Sequence, residues 1–446
     1  MRRLSLLTAC ALAVSVSGPA LGADGAMFRG NAAHTGVYQT IGVAHAPSVK
    51  WRFHTHGAVN SSPAVSGDAV YVGSSDGSLY AVNAETGKLR WRFKTGSRIA
   101  SSPAVASGIV YVESYDGYFY AVNSATGTLA WKFKTGGEHR FEGTHLHGSD
   151  PAPETMPDPF DVFLSSPAVW RGGVYFGSSD GNVYALNAKS GDVLWKFKTG
   201  DVVHASPAIA DGTLFIGSWD SYFYALDVTD GKEKWRFKTG VDPDIHNQVG
   251  IASSASVASG SVYFGCRDSH LYALDERSGD KKWALDMHGS WVIASPAVRD
   301  GKVFFATSDS GLFSEVDAST GASDFTVKFR GWPMFSSPAV SGGLAYIGSW
   351  AGTLTAIDLT SQKAAWTFQT DASKRYRPAL TNADGSPNYG AAYASSFYDD
   401  TVVGFARMMT VGAILSSPVV VDGVIYVGST DGDLYALEGR DSRRNN

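Results

Sequence analysis

The chain has 446 residues, with 50 glycines, 12% aromatic residues, only 18% charged residues and a formal net charge of −5. That balance leaves no basic surface for nucleic acid, and no Lys/Arg run forms a phosphate-binding stripe. It suits many short strands joined by tight turns around a large core.

Taken in chain order, the first residues read as an export leader. Arg2 and Arg3 precede an apolar, small-residue stretch from Leu4 to Val16, then Gly18 and Pro19. This pattern predicts cleavage near residue 23 and a periplasmic or secreted protein. The stretch is too short to span a bilayer, and no later run is long enough. Leu7-Thr8-Ala9-Cys10 has the form of a lipoprotein processing box, although the apolar region before it is short. Cleavage leaves Cys266 as the only thiol, so the mature chain has no internal disulfide. An arm over 24–47 follows, containing Met27-Phe28-Arg29-Gly30-Asn31 and His34-Thr35-Gly36.

From residue 48 to 439 one unit recurs eight times, starting at Ser61, Ser101, Ser165, Ala205, Ser253, Ala294, Ser336 and Ser416. In the first copy four β-rich runs, 62–65, 69–73, 79–83 and 89–94, are separated by turns carrying Gly67, Asp76-Gly77 and Thr86-Gly87. Such turns supply the positive φ that tight hairpins require. Four antiparallel strands per unit, repeated in a ring, make an all-β propeller of eight blades. The last copy lacks its fourth strand, and the segment from Val49 to Thr55, containing Trp51, matches the missing piece. The N-terminal strand should therefore close the ring, which removes the exposed edge and favours a monomer. Residues 440–446 remain as a tail.

Ala81, Asn83, Thr86, Gly87 and Trp91 define a submotif that returns from Ala121 to Trp131, Ala185 to Trp195 and Ala273 to Trp283. Phe325 stands for Trp in the sixth copy and Gln362 for Gly in the seventh. The Gly permits the turn, and the Trp offers a flat face to the next blade. The submotif resembles the tryptophan-docking motif of pyrroloquinoline quinone (PQQ) repeat propellers. That family includes cofactor-free envelope assembly factors of the BamB type and quinoprotein dehydrogenases.

The eight copies serve as one another's control, and most departures fall in loops of one face. The connections grow to 137–164, 241–252 and 371–415, and long loops in a compact domain are usually functional. Glu113 replaces a strand-end Gly, and His204 stands where other copies have Asn60, Ala100 or Leu164. Arg98 lies in the first connection, with Asp244, His246 and Asn247 in the 241–252 insertion. Cys266-Arg267-Asp268-Ser269-His270 replaces a Ser-Ser-Asp-Gly turn, and Trp219, Trp291, Trp332 and Trp350 stand apart from the docking set. The structural alternatives are ordinary: a hydrogen-bonded histidine, a buried thiol, tryptophans plugging the channel, and Glu113 paired with Arg98 or Arg140.

Two functions follow from the resemblance. A binding propeller would take a small-molecule ligand or an envelope protein partner at the loop-rich channel face. A quinoprotein alcohol or sugar dehydrogenase would hold PQQ and Ca²⁺ on the axis. The resemblance then implies metal ligation by Glu113, Asn247 and Asp268, cofactor contacts from Arg98, Arg267, Trp219 and Trp291, and proton transfer by Glu113, His204, His246 or Asp268. The adjacent Cys pair of such dehydrogenases and a haem attachment motif are both absent. A third possibility is a site using His204, His246, His270, Cys266 or the His139, His145 and His147 group as transition-metal ligands, or His204 with Glu113 as acid and base.

Overall fold

The computed structural model describes residues 26–144, 146, 154–240 and 250–439. Eight blade sheets follow one another around a ring, seven of them four-stranded and antiparallel and the seventh blade extended by the parallel strand Val37–Tyr38 of the arm, so the expected eight-bladed propeller is what the chain forms. In the first blade the strands are Ala64–Ser66, Ala69–Ser74, Ser78–Asn83 and Leu89–Lys94. The innermost strand starts after Pro63, which has no N–H to give to a ladder. Pro47–His54 pairs antiparallel with Asp433–Gly439, placing Trp51 opposite Ala436 and completing the last blade.

Adjacent blades are joined by the tryptophans. The Trp91 indole N–H donates to the Ser124 carbonyl at 2.9 Å, and its ring lies where a Cβ on Gly127 would sit at 2.7 Å. The same pair of contacts joins Trp51 to Ala84 and Gly87, Trp131 to Ala188 and Gly191, and Trp195 to Val228 and Gly231. The turn glycine thus has two duties: it takes positive φ, and it leaves room for the neighbour's ring. Trp366 of the seventh blade has no such turn ahead of it, because the eighth blade is built from both ends of the chain. Its indole donates instead to the carbonyl of Val43, in the N-terminal arm, at 2.8 Å.

A second ring of contacts surrounds the axis. Each blade's inner Ser amide donates to the hydroxyl of the next inner Ser, through Ser62, Ser102, Ser166, Ser206, Ser254, Ser295, Ser337, Ser417 and back to Ser62. The arm closes the axis on the face opposite the long loops. It lends carbonyls of Ala26, Ala32, Ala33, Thr35 and Gly36 to the inner strands of five blades. Buried Arg29 donates to the carbonyls of Pro338 at 2.5 Å and Pro296 at 2.8 Å, and Phe28 points into the channel.

The segment 371–415 is mainly helical, with Asp371–Tyr376 capped by Thr370, short turns at Arg377–Leu380 and Tyr389–Ala392, and the helix Tyr398–Met409. That last helix buries Thr401, Gly404, Phe405 and Met408, one face at helical spacing. Phe405 meets Phe160 of the 137–164 segment edge-on at 5.4 Å, and the Tyr398 hydroxyl donates to the Pro157 carbonyl at 2.6 Å. The two long connections therefore form one cover over the loop-rich face. Among the described residues no helix is long and apolar enough to cross a membrane.

Candidate functional site on the loop-rich face

His204 sits on the axis-lining position of the fourth blade and is buried. Its Nδ1 lies 2.9 Å from one oxygen of Asp161, and its Nε2 lies 2.7 Å from the Ser179 hydroxyl. Ser, His and Asp thus stand in the order of a hydrolytic triad. The Ser179 hydroxyl also reaches the His139 carbonyl at 2.8 Å; donating there, it leaves its oxygen to accept from His204, whose other ring nitrogen faces Asp161. Burial lowers the His204 pKa, but the charge and hydrogen bond of Asp161 outweigh it, and the net direction is upward. His204 and Asp161 thus latch the 137–164 segment to the inner barrel.

Glu113 joins the same polar chain. Glu138 accepts from the Ser178 hydroxyl at 2.6 Å and the Ser179 amide at 2.7 Å, and its charge faces Glu113. Burial, then the Glu138 charge, pushes the Glu113 carboxyl well above its usual range. The expected alternative, an ion pair with Arg98 or Arg140, does not form among the described residues. Arg98 instead lies over the Tyr115 ring, 3.8 Å from its centroid.

Arg267 forms a second cluster. It is buried, ion-paired to buried Asp158, and flanked by Trp291 at 3.7 Å and Trp219 at 4.8 Å. The Trp219 ring stacks on Phe141 at 4.4 Å and 14°. Asp158 and Asp161 are three residues apart in one short turn, and each holds one cation of the barrel. Neither was singled out from sequence, nor was Ser179; Glu138 was visible only as one of the polar residues of the 137–164 insertion. Asp158, Asp161 and Glu138 sit in the insertion, where no repeat provides a comparison, and Ser179 is an ordinary serine of the repeated Ser-Ser-Asp-Gly turn.

Asp268 does not join either cluster. It accepts from the Tyr272 hydroxyl at 2.5 Å, the His270 amide at 3.1 Å and the Gly240 amide at 2.8 Å. Asp116 makes the same three bonds, to Tyr120, Tyr118 and Gly96. Asp268 is thus the turn aspartate of its blade. Cys266 fills the place of the turn serine, accepting from the Asp268 amide at 3.5 Å, and burial pushes its thiol up. His246, Asn247, His145 and His147 lie outside the described residues. Among the described residues no three His, Cys, Asp or Glu side chains gather as a metal site.

These contacts bear on the quinone. The axial cavity between the serine ring and Phe163 holds only about 40 Å³, whereas sites for such cofactors need some hundreds (about 300–1,000 Å³). Phe141 stacks on the Trp219 ring and Arg267 lies against it, and the Asp268 oxygens are committed to the turn. The described residues do not fit PQQ on the axis.

Off the axis the picture changes. Beneath the helical cover lies a cavity of about 860 Å³, lined by Phe160, Trp291, Phe335, Trp350, Tyr389 and Tyr393, with Ser290, Ser310 and Asp309 among its polar groups. Four blade loops supply one wall and both insertions the other. Trp291 and Trp350 were visible in sequence as tryptophans outside the docking set; Tyr389, Tyr393 and Asp309 carried no such signal.

The comparisons agree with this architecture. A crystal structure of BamB from Moraxella catarrhalis superposes with a TM-score of 0.64 at 15% identity, covering 88% of this chain and 100% of that one. A europium-containing methanol dehydrogenase gives 0.66 at 14% identity, covering 93% and 98%. A quinohemoprotein alcohol dehydrogenase from Pseudomonas putida gives 0.68 at 13%, covering 93% and 80%. At such identities the likeness is one of fold. No curated protein sequence matches the chain. The family profile described as outer membrane protein assembly factor BamB matches residues 41–145, 143–290 and 267–444, and the chain belongs to this PQQ-repeat propeller family.

Proposed function

We propose that this protein is an exported PQQ-repeat propeller that binds a small molecule in the aromatic cavity on its loop-rich face. The observation that carries the reading is the cavity itself. Its size, its mainly aromatic lining and its few convergent polar groups are those of a ligand site rather than a packing defect. The serine ring, the plugged axis and the latched insertions make the wall rigid, which lowers the ordering cost of binding.

Ligand-observed NMR with a set of small aromatic, alicyclic and charged fragments tests it. Fragments should lose contact with the protein in Tyr389→Ala and in the cavity-filling variant Ser310→Trp, at unchanged melting temperature. A set in which no binder responds to either substitution overturns the reading.

A protein partner on the same face is the second reading. Phe397 and Val403, on the outer helical cover, are 56% and 53% exposed. The quinoprotein alternative is disfavoured by the filled axis. Protein produced with PQQ and Ca²⁺ supplied should carry no stoichiometric quinone absorbance, and its presence would reverse that judgement.

A further inference from the structure

We infer that the outer edges of the first three blades take up an acidic, extended segment of a partner protein as an added strand. This surface is separate from the aromatic cavity and independent of it. The outer strands are Leu89–Lys94, Leu129–Lys134 and Val193–Lys198, each the last of its sheet with one edge unpaired. Leu89, Arg92 and Lys94 stand opposite Val82, Tyr80 and Ser78, which puts all three on one face of the strand. The same register places Leu129, Lys132 and Lys134 together in the second blade, and Val193, Lys196 and Lys198 in the third. Each of these outer-strand residues is exposed. No run of Lys or Arg announces the surface in the sequence; the ring assembles it from separate strands.

Lysines on a free edge keep like edges from pairing, a need that every blade shares. The other five blades differ at the same three places. In the fourth, Glu233 replaces the aliphatic residue and lies 3.7 Å from Arg236. The fifth has Lys281, Ala284 and Asp286, and the sixth Ser323, Thr326 and Lys328. The seventh has Ala364, Thr367 and Gln369. In the eighth, Arg52 and His54 are both paired with Asp433. The six cations of the first three blades, by contrast, are in no ion pair among the described residues. Lys94 and Lys198 reach the carbonyls of Asp76 and Asp180, Lys132 lies over the Tyr118 ring, and Arg92 meets the Tyr80 hydroxyl. The turn aspartates Asp76, Asp116 and Asp180 accept from tyrosine hydroxyls and from backbone amides.

A strand laid along such an edge gains main-chain hydrogen bonds. Acids at alternate positions then face the two cations, and an apolar residue further along covers the aliphatic group. A second copy's outer strand would bring like charges opposite one another. A polyanion without a peptide backbone would leave the edge and the aliphatic groups unanswered.

Hydrogen exchange of the full chain tests this with a short peptide in which Thr alternates with Glu at one end and with Leu at the other. The peptide should protect amides in 89–94, 129–134 and 193–198 and leave 281–286 and 323–328 unchanged. It should bind about tenfold more tightly than its Lys-for-Glu counterpart, the size expected of cross-strand charge pairs. The same peptide with every backbone amide methylated keeps its charge, loses its donors and should not bind. Lys132→Glu with Lys134→Glu should remove protection by the acidic peptide from 129–134 alone, and the Lys peptide should restore it there. Absence of binding by the acidic peptide, equal binding of the two peptides, or protection shared by 281–286 and 323–328 overturns the assignment. Binding that survives amide methylation, or that polyphosphate or anionic vesicles show equally, makes the edge a general anion surface and overturns it too.

Discussion

The amide of Ser417 donates to the hydroxyl of Ser62 at 2.9 Å, across 355 positions of sequence. It is the last link of an eight-membered ring around the axis, at the inner edge of the blade whose outer edge is the Trp51 strand. Each link satisfies a buried amide that follows directly on the previous blade's approach to the channel.

Ser62→Ala should therefore cost more than an ordinary surface hydroxyl, because it leaves the Ser417 amide buried and unpaired. A loss of about 1–3 kcal/mol is expected, read as a lower midpoint of denaturant unfolding. Ser254→Ala, at another link, should cost a similar amount. A neutral result at both positions would mean that the ring contributes nothing to closure.

The His204 latch has a defined pH sign. The folded state holds the imidazole proton more tightly than the unfolded chain, so the stabilisation is complete below about pH 6.5, the unfolded value. It is lost as pH rises through the higher folded value. Asp161→Asn and His204→Ala should each raise amide exchange in 154–163, most clearly at acidic pH. Equal exchange in the variants and the native protein would show that the insertion is held by other contacts.

Glu113 acts in the same direction for a different reason. Its folded-state pKa is raised, so the folded protein prefers the neutral acid, and stability falls as pH climbs above the usual carboxylate range, about 4.5. Glu113→Gln keeps the shape without the charge. The variant should melt higher than the native protein by a few degrees at neutral pH, with the two converging below pH about 4. Melting curves across pH 3–9 check this; a native advantage at neutral pH would show that the ionised group has a partner.

Arg267 and Asp158 form a buried pair, and removing one partner strands the other. Asp158→Asn or Arg267→Met alone should cost about 3–5 kcal/mol, whereas the double substitution Arg267→Met with Asp158→Leu should cost clearly less. Unfolding midpoints of the three variants give the coupling. Additive losses would mean that the two side chains act independently.

Much of the propeller could be read in the chain because the blade is local. Gly87, Thr86 and Trp91 signal a hairpin within one unit, and eight recurrences supply the closing strand by subtraction. The two departures from the docking motif were harder. Phe325 and Gln362 are far apart in sequence terms, in different copies. In the ring, the sixth blade's docking ring faces the seventh blade's turn, so they occupy one interface. Gln362 carries a side chain at φ 58° where other turns have glycine, and the smaller phenyl ring of Phe325 stands where indole would otherwise be. The site was less legible still. His204 and Glu113 were visible as exceptions, but their partners Asp161 and Ser179 were not.

What the sequence determined alone was whatever repeats: blade number, turn chemistry, docking tryptophans and the strand that closes the circle. These depend on contacts within a unit or between identical neighbours, so each copy reports on all. Tertiary structure decided what the single-copy segments do. Asp158 and Asp161 reach two cations of the inner barrel because a turn folds back over the axis. Phe160 meets Phe405, and an aromatic cavity opens between cover and blades. The Phe160–Phe405 contact joins segments more than two hundred residues apart, and no local pattern records which long loop will lie against which.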